Sequence, residues 1–208
     1  EASVERYQDQ NFRPGGTLSL SGQRGDLDYL FVTRSQPRYR VSIGDEYSML
    51  GDYSLNDLVL ETRTVDQSVN ELSMNLGYEL SDSSSLRMNA LYATQNDPVK
   101  VERYTTTLRV TPISLLSERE AIPSERDTWE IGGDYELNLG NGQRFKLLAI
   151  ANQANRDSAR ERFEMFDDNT EEKNLYLGIA TVTEEQIVRA SYTFNVFEEQ
   201  SLEFGLER

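Results

Sequence analysis

The feature that most constrains this chain is strict two-residue alternation in runs that recur at a fixed interval. Leu72-Met74-Leu76-Tyr78-Leu80, Trp129-Ile131-Gly133-Tyr135-Leu137-Leu139 and Val188-Ala190-Tyr192-Phe194-Val196 each present one apolar face. The three tyrosines, Tyr78, Tyr135 and Tyr192, stand at equal intervals, each the next-to-last or near-last outward residue before a short polar turn. Period two is the repeat of a β-strand with unlike faces. The intervening residues are polar and of mixed charge: Glu71-Ser73-Asn75-Gly77-Glu79, Glu130-Gly132-Asp134-Glu136-Asn138 and Arg189-Ser191-Thr193-Asn195.

The same two faces run through the flanking strands. Leu18, Leu20, Leu86-Met88-Ala90-Tyr92, Phe145-Leu147-Ala149-Ala151 and Leu202-Phe204-Leu206 join the apolar set. Arg87-Asn89, Arg144-Lys146 and Glu203-Gly205-Glu207 join the polar one. Four short turns punctuate the chain, beginning at Gly22 (GQRGD), Ser81 (SDSSS), Gly140 (GNGQ) and Phe197 (FEEQ). Their Gly, Asn, Asp and Ser are ordinary hairpin chemistry. Between consecutive short turns lies one long polar excursion, with midpoints near Gly51–Asp52, Pro112 and Asn169–Thr170. The expected strands are 1–8, 15–22, 27–43, 60–80, 86–107, 127–139, 143–165, 173–196 and 201–208, with a break possible at Asp97-Pro98 or Glu184-Glu185. Ile113–Ile122 is expected to form a short helix, with Ser117 and Glu120 as a capping box.

Short turns on one rim, long loops on the other and apolar-out, polar-in alternation are how outer-membrane barrels are built. The fold class read from the sequence is therefore all-β, an antiparallel up-and-down transmembrane β-barrel. Backbone groups in hydrocarbon must all be paired, which requires such a sheet to close. Nine strands is an odd number and the last run stops in mid-strand. The chain, 1–208, thus reads as a single barrel segment of a larger barrel, with neither plug domain nor signal peptide. Mean hydropathy is −0.63 and no long apolar segment exists. That excludes a transmembrane helix and leaves a barrel open, because one apolar face per strand averages away.

Composition removes most chemistry. The 208 residues include no Cys and no His. Thiolate nucleophiles, Ser-His-Asp triads and most transition-metal sites need one or the other. No phosphate-binding glycine motif is present. The chain is not expected to be an enzyme, and no catalytic residue, metal site or cofactor is assigned. Net charge is −15, from 36 acids against 21 bases, which argues against nucleic acid as a partner. The acidic segment Phe166–Lys173 (FDDNTEEK) has oxygen ligands for Ca²⁺ but no EF-hand spacing, and reads as a solvated loop tip. Tyr78, Tyr135 and Tyr192 are the expected membrane-interface girdle, with Trp129 within the bilayer or at the opposite belt. Tyr47, Met49, Tyr53 and Phe166 are the ligand-catching candidates in the long loops.

FRPGGTLSLSGQRGDLDYLFVTRSQPRYR resembles the first barrel strands of TonB-dependent outer-membrane receptors. NELSMNLGYELSDSSSLRMNALYATQND and TWEIGGDYELNLGNGQRFKLLAIANQANRD are similar to later hairpins of the same barrels. The resemblance implies a bacterial outer-membrane location and a share in uptake of a siderophore, vitamin or glycan. It implies lipid and lipopolysaccharide around the wall, a plug domain, an inner-membrane energising complex and a small-molecule ligand as partners. The readings left beside it are an uncoupled porin-like or structural barrel, and a soluble secreted β-sheet binding protein.

Overall fold

The computed structural model describes residues 2–6, 12–197 and 200–208. They form one antiparallel sheet of 11 strands and no helix. In chain order these are β1 (Ala2–Arg6), β2 (Phe12–Arg24), β3 (Leu27–Met49), β4 (Leu55–Ser81), β5 (Ser84–Asn96), β6 (Val99–Thr107), β7 (Ser114–Ile122), β8 (Ser124–Gly140), β9 (Gln143–Met165), β10 (Glu171–Phe197) and β11 (Gln200–Glu207). Neighbours follow the order β1-β2-β3-β4-β5-β8-β9-β10-β11. Among the described residues no pairing joins β1 to β11, so the sheet is open along those two edges.

Two of the short turns fall where glycines place them. Gly25 has φ 61°, and Asn141 and Gly142 have φ 52° and 74°. Positive φ at both central residues is what a tight two-residue hairpin requires, so the Asn-Gly pair fits without strain. The fourth turn, at FEEQ, has residues 198 and 199 outside the described set. Long excursions turn at 51–53, 108–113 and 167–169, as the midpoints predict.

One of the nine expected strands is divided and one strand is added. The segment 86–107 breaks at Asp97-Pro98 into β5 and β6, and a further strand, β7, precedes β8 across Pro123. The lower half of β4 pairs with β5 and its upper half with β6. Likewise β9 pairs with β8 below and β7 above. Thus β5–β6 and β7–β8 are two long strands, both interrupted at one level by a proline that cannot donate to the ladder. The carbonyls still serve: Asp66 N–H donates to Pro98 O (3.2 Å) and Ala159 N–H to Pro123 O (3.0 Å). Asp97 N–H donates to Ser124 O at 2.8 Å, so the ladder crosses the break.

The helix expected over Ile113–Ile122 is replaced by β7. Its Glu118 and Glu120, two residues apart, point to the same face and meet arginines of neighbouring strands. Period two satisfies both ion pairs, whereas a helix would turn the two glutamates about 200° apart. β10 passes through Glu184-Glu185 without a break.

The sheet has almost no core. Only Val99, Val101, Glu118, Glu120 and Gly132 of the described residues are buried. All five lie on the polar face by strand parity. A single layer shelters one side only by curling toward it, so the polar face is the concave one.

Candidate functional site

The ladder register aligns the apolar runs of all the strands on the convex face. One row runs Leu27, Tyr78, Leu86, Tyr135, Leu147, Ala190, Leu206 across β3, β4, β5, β8, β9, β10 and β11. Two of the three spaced tyrosines therefore share a row, separated by Leu86. Tyr192 lies one outward position nearer the turns, between Phe145 and Phe204. Its hydroxyl donates to Gln143 Oε1 at 3.0 Å, and Phe194 beside it stacks on Phe204 at 6.0 Å. The face is open to its surroundings: Leu18 is 72% exposed, Leu72 57%, Phe204 60% and Leu206 83%.

On β4 the convex face is apolar from Leu72 to Leu80 and polar above, through Asn70, Ser68 and Asp66. The same change occurs on every neighbour. Tyr92 stands opposite Trp129 in the last apolar row of β5 and β8, and Thr94 opposite Asp127 comes next. The Trp129 indole N–H donates to Gln153 Oε1 at 3.2 Å. Gln153 continues to Asn155 (3.0 Å), and Asn155 to Asp127 (2.8 Å). The indole thus joins an apolar row to a polar hydrogen-bonded row. Above them Glu125 and Asp157 stand directly opposite each other.

The band slants across the sheet. Its upper border, at Leu72, Tyr92 and Trp129, meets Gln153 and Glu184 in the same ladder row. Apolar residues resume one outward position lower on β9, at Ala151, and two lower on β10, at Val188. At the lower border β3 ends at Leu27, whereas β10 continues three positions past that row to Val196. With ordinary strand rise and spacing, the band lies at roughly 30–40° to the ladder rows.

The concave face below the proline break is mixed, with cross-paired polar residues beside Leu30, Val32, Leu91, Leu148, Ile150 and Ile187. Lys146 lies 3.7 Å from Asp134, and Asn89 Nδ2 donates to Glu130 at 3.2 Å. Asn152 donates to Glu185 at 2.9 Å. The Asn89 amide packs over Gly132, where a Cβ would come 2.6 Å from Asn89 Oδ1 and push that side chain aside.

Above the break an ion-pair chain crosses four strands on the concave face. Arg103 of β6 donates to Glu61 of β4 (2.6 Å) and lies 3.8 Å from Glu120 of β7. Glu120 accepts both Nε and Nη2 of Arg160 on β9, at 2.8 and 2.7 Å. Arg162 approaches Glu118 at 3.2 Å. The bidentate Arg160 contact, with Arg103 and Arg162 nearby, holds the Glu120 carboxyl below the usual carboxylate range despite its burial. Sequence reading missed this chain, although Glu118-x-Glu120 and Arg160-x-Arg162 are spaced for facing strands.

The loop candidates are exposed but divided. Tyr47, Met49 and Tyr53 share the β3–β4 hairpin, and Phe166 sits on the β9–β10 hairpin. Among the described residues no ring contact joins them. Both hairpin tips use one turn. Asp52 accepts from Ser54 N–H (3.0 Å) and Asp168 from Thr170 N–H (3.0 Å), each with the matching hydroxyl. These bonds lower both aspartate pKa values, the hydroxyl contact first. At the acidic tip Glu171 turns away to Arg119, which also lies 4.0 Å over the Phe163 ring. No described cluster of acidic side chains is arranged to hold a metal ion.

In comparison with known proteins, the chain matches no family model and no curated protein.

Proposed function

We propose that this chain is part of the wall and outer loops of an outer-membrane transport barrel, of the TonB-dependent receptor type. The observation that carries the barrel reading is the slanting apolar band. It covers about nine residues per strand, which matches the 9–11 residues a tilted strand needs to cross hydrocarbon. Its slant is close to the 35–45° strand tilt of such barrels, since the membrane plane is fixed while ladder rows follow the tilted strands. The lower belt is then Tyr78, Tyr135 and Tyr192, and the upper belt Tyr92 and Trp129.

Burial supports the same reading. A soluble monomer seldom exposes an apolar patch above about 300–600 Å². Here no residue of the convex apolar band is buried, and the described residues hide five side chains or glycines. With so little burial in water, ordering the chain is not offset. Lipid against the convex face, and a hydrated lumen or inserted polar domain against the concave one, supply what the sheet lacks. The receptor type rests on the sequence resemblance, and energised uptake of a small ligand follows from that part of the reading.

Detergent dependence tests it. The purified chain is expected to keep its strand circular dichroism only in micelles or vesicles, and to float with vesicles through a density gradient. A monodisperse, strand-rich monomer in plain buffer would rule the reading out.

A further inference from the structure

Arginines without partners gather on the concave face of a strongly acidic chain. Strand parity, carried upward by the register, puts Arg38 and Arg40 of β3, Arg63 of β4, Arg126 of β8 and Arg156 of β9 on that face. Arg38, Arg40, Arg126 and Arg156 occupy the level between the apolar band and the Glu120 ion pairs, and Arg63 lies in the ladder row of Glu120, with Val101 between them. Each is exposed, and among the described residues none has an ion-pair or hydrogen-bond partner for its side chain. Arg126 and Arg156 stand directly opposite each other in the ladder. Like charges so placed destabilise a sheet.

The chain has acids enough to neutralise them, with 36 against 21 bases. At this level they are elsewhere. Asp66, Glu125, Asp127, Asp157 and Glu184 are on the convex face. The concave ladder residue Glu120 is committed to Arg160 and Arg103. Asp97, in the break, closes no ion pair with the five. The sheet therefore separates charge across its thickness and keeps guanidinium groups free on the sheltered side.

We infer that this concave level binds a small solute bearing two or more carboxylate or phosphate groups. This inference rests on the reading of the polar face as a lumen, and adds the class of ligand. The planar guanidinium fork matches the oxygens of either anion, and opposed arginines suit bidentate capture. Arg38, Arg40 and Arg63 form one group and Arg126 with Arg156 another. Arg38 is three strand spacings from Arg126 and one outward position higher, so roughly 16 Å separates their Cα atoms, and side chains extended toward each other narrow this to the width of a small polyanion. A multiply charged solute of that span reaches both, and Gln67 and Gln95 between them supply neutral donors.

The test is calorimetric titration of the full chain, folded in micelles, with pyrophosphate and with citrate. Both are expected to bind. Arg126→Gln/Arg156→Gln and Arg38→Gln/Arg40→Gln/Arg63→Gln are each expected to weaken binding by about tenfold or more, the size of lost charge-assisted hydrogen bonds. Lys100→Gln removes the same charge at a similar height on the convex face and is expected to change nothing. Strand circular dichroism of each variant confirms that it folds. Absence of binding by folded chain, equal binding by all variants, or binding of an acidic polypeptide but neither small anion would overturn the proposal. If the chain is a detergent-free monomer, the barrel reading fails, and the same titration in buffer still decides the anion site.

Discussion

Leu76→Arg is expected to destabilise the chain in lipid vesicles by about 2–4 kcal/mol, the cost of a cation near the bilayer midplane on a lipid-facing position. Leu76 is the middle outward residue of the apolar run Leu72–Leu80 on β4, with Tyr29 and Met88 opposite it on the flanking strands. Asn75→Arg, one residue away, is expected to cost under about 1 kcal/mol, because Asn75 is an exposed residue of the concave side, opposite Asn89 and Leu30. Urea titration of both variants in vesicles gives the comparison. Equal costs at the two positions would mean that the faces do not meet different media. A cost at Leu18, at the band's upper edge, equal to that at Leu76 would mean that no depth gradient exists.

Arg160→Ala is expected to cost about 3 kcal/mol, concentrated in β6 and β7. Glu120 has a side chain only 3% exposed and loses its bidentate partner, keeping Arg103 at 3.8 Å. Orphaning a buried carboxylate carries a penalty of this size. Hydrogen exchange should quicken in Val99–Thr107 and Ser114–Ile122 while β5 and β8 keep their protection. Acid should act at the same place. The folded carboxyl of Glu120 lies below its ordinary value, so its contribution is complete above the usual carboxylate range. It is lost as pH falls through the lowered folded value. The β6–β7 hairpin should therefore loosen first on acidification, and Glu120→Gln should remove that pH dependence. Uniform exchange across the sheet at low pH would contradict the assignment.

Much of the sheet was legible because alternation is written into each strand. Gln143–Met165 is bounded as the pattern predicts, since nothing interrupts its two faces. The apolar runs, the Asn141-Gly142 turn and the long-loop midpoints follow for the same reason. The upper hairpin was not legible. SLLSEREAI carries a plausible capping box and good helix formers, and its extended form is set by Arg103, Arg160 and Arg162, distant in sequence. Pro98 marks its break openly. The matching break at Pro123 shows only once β8 and β9 are in register. The concave arginines were hidden for a related reason: their face follows from parity carried upward along β3, β4, β8 and β9, beyond the apolar runs that define it.

Trp129 is the chain's one tryptophan, so its fluorescence reports a single place without labelling. It stands beside Tyr92 where the apolar band gives way to the polar row, at the level assigned to the outer lipid interface. In vesicles its emission should be blue-shifted, quenched strongly by lipid brominated near the headgroup end of the acyl chain, less by lipid brominated at the chain terminus, and weakly by acrylamide. Water-like emission, quenched by acrylamide and untouched by either brominated lipid, would contradict the claim that this face meets the membrane.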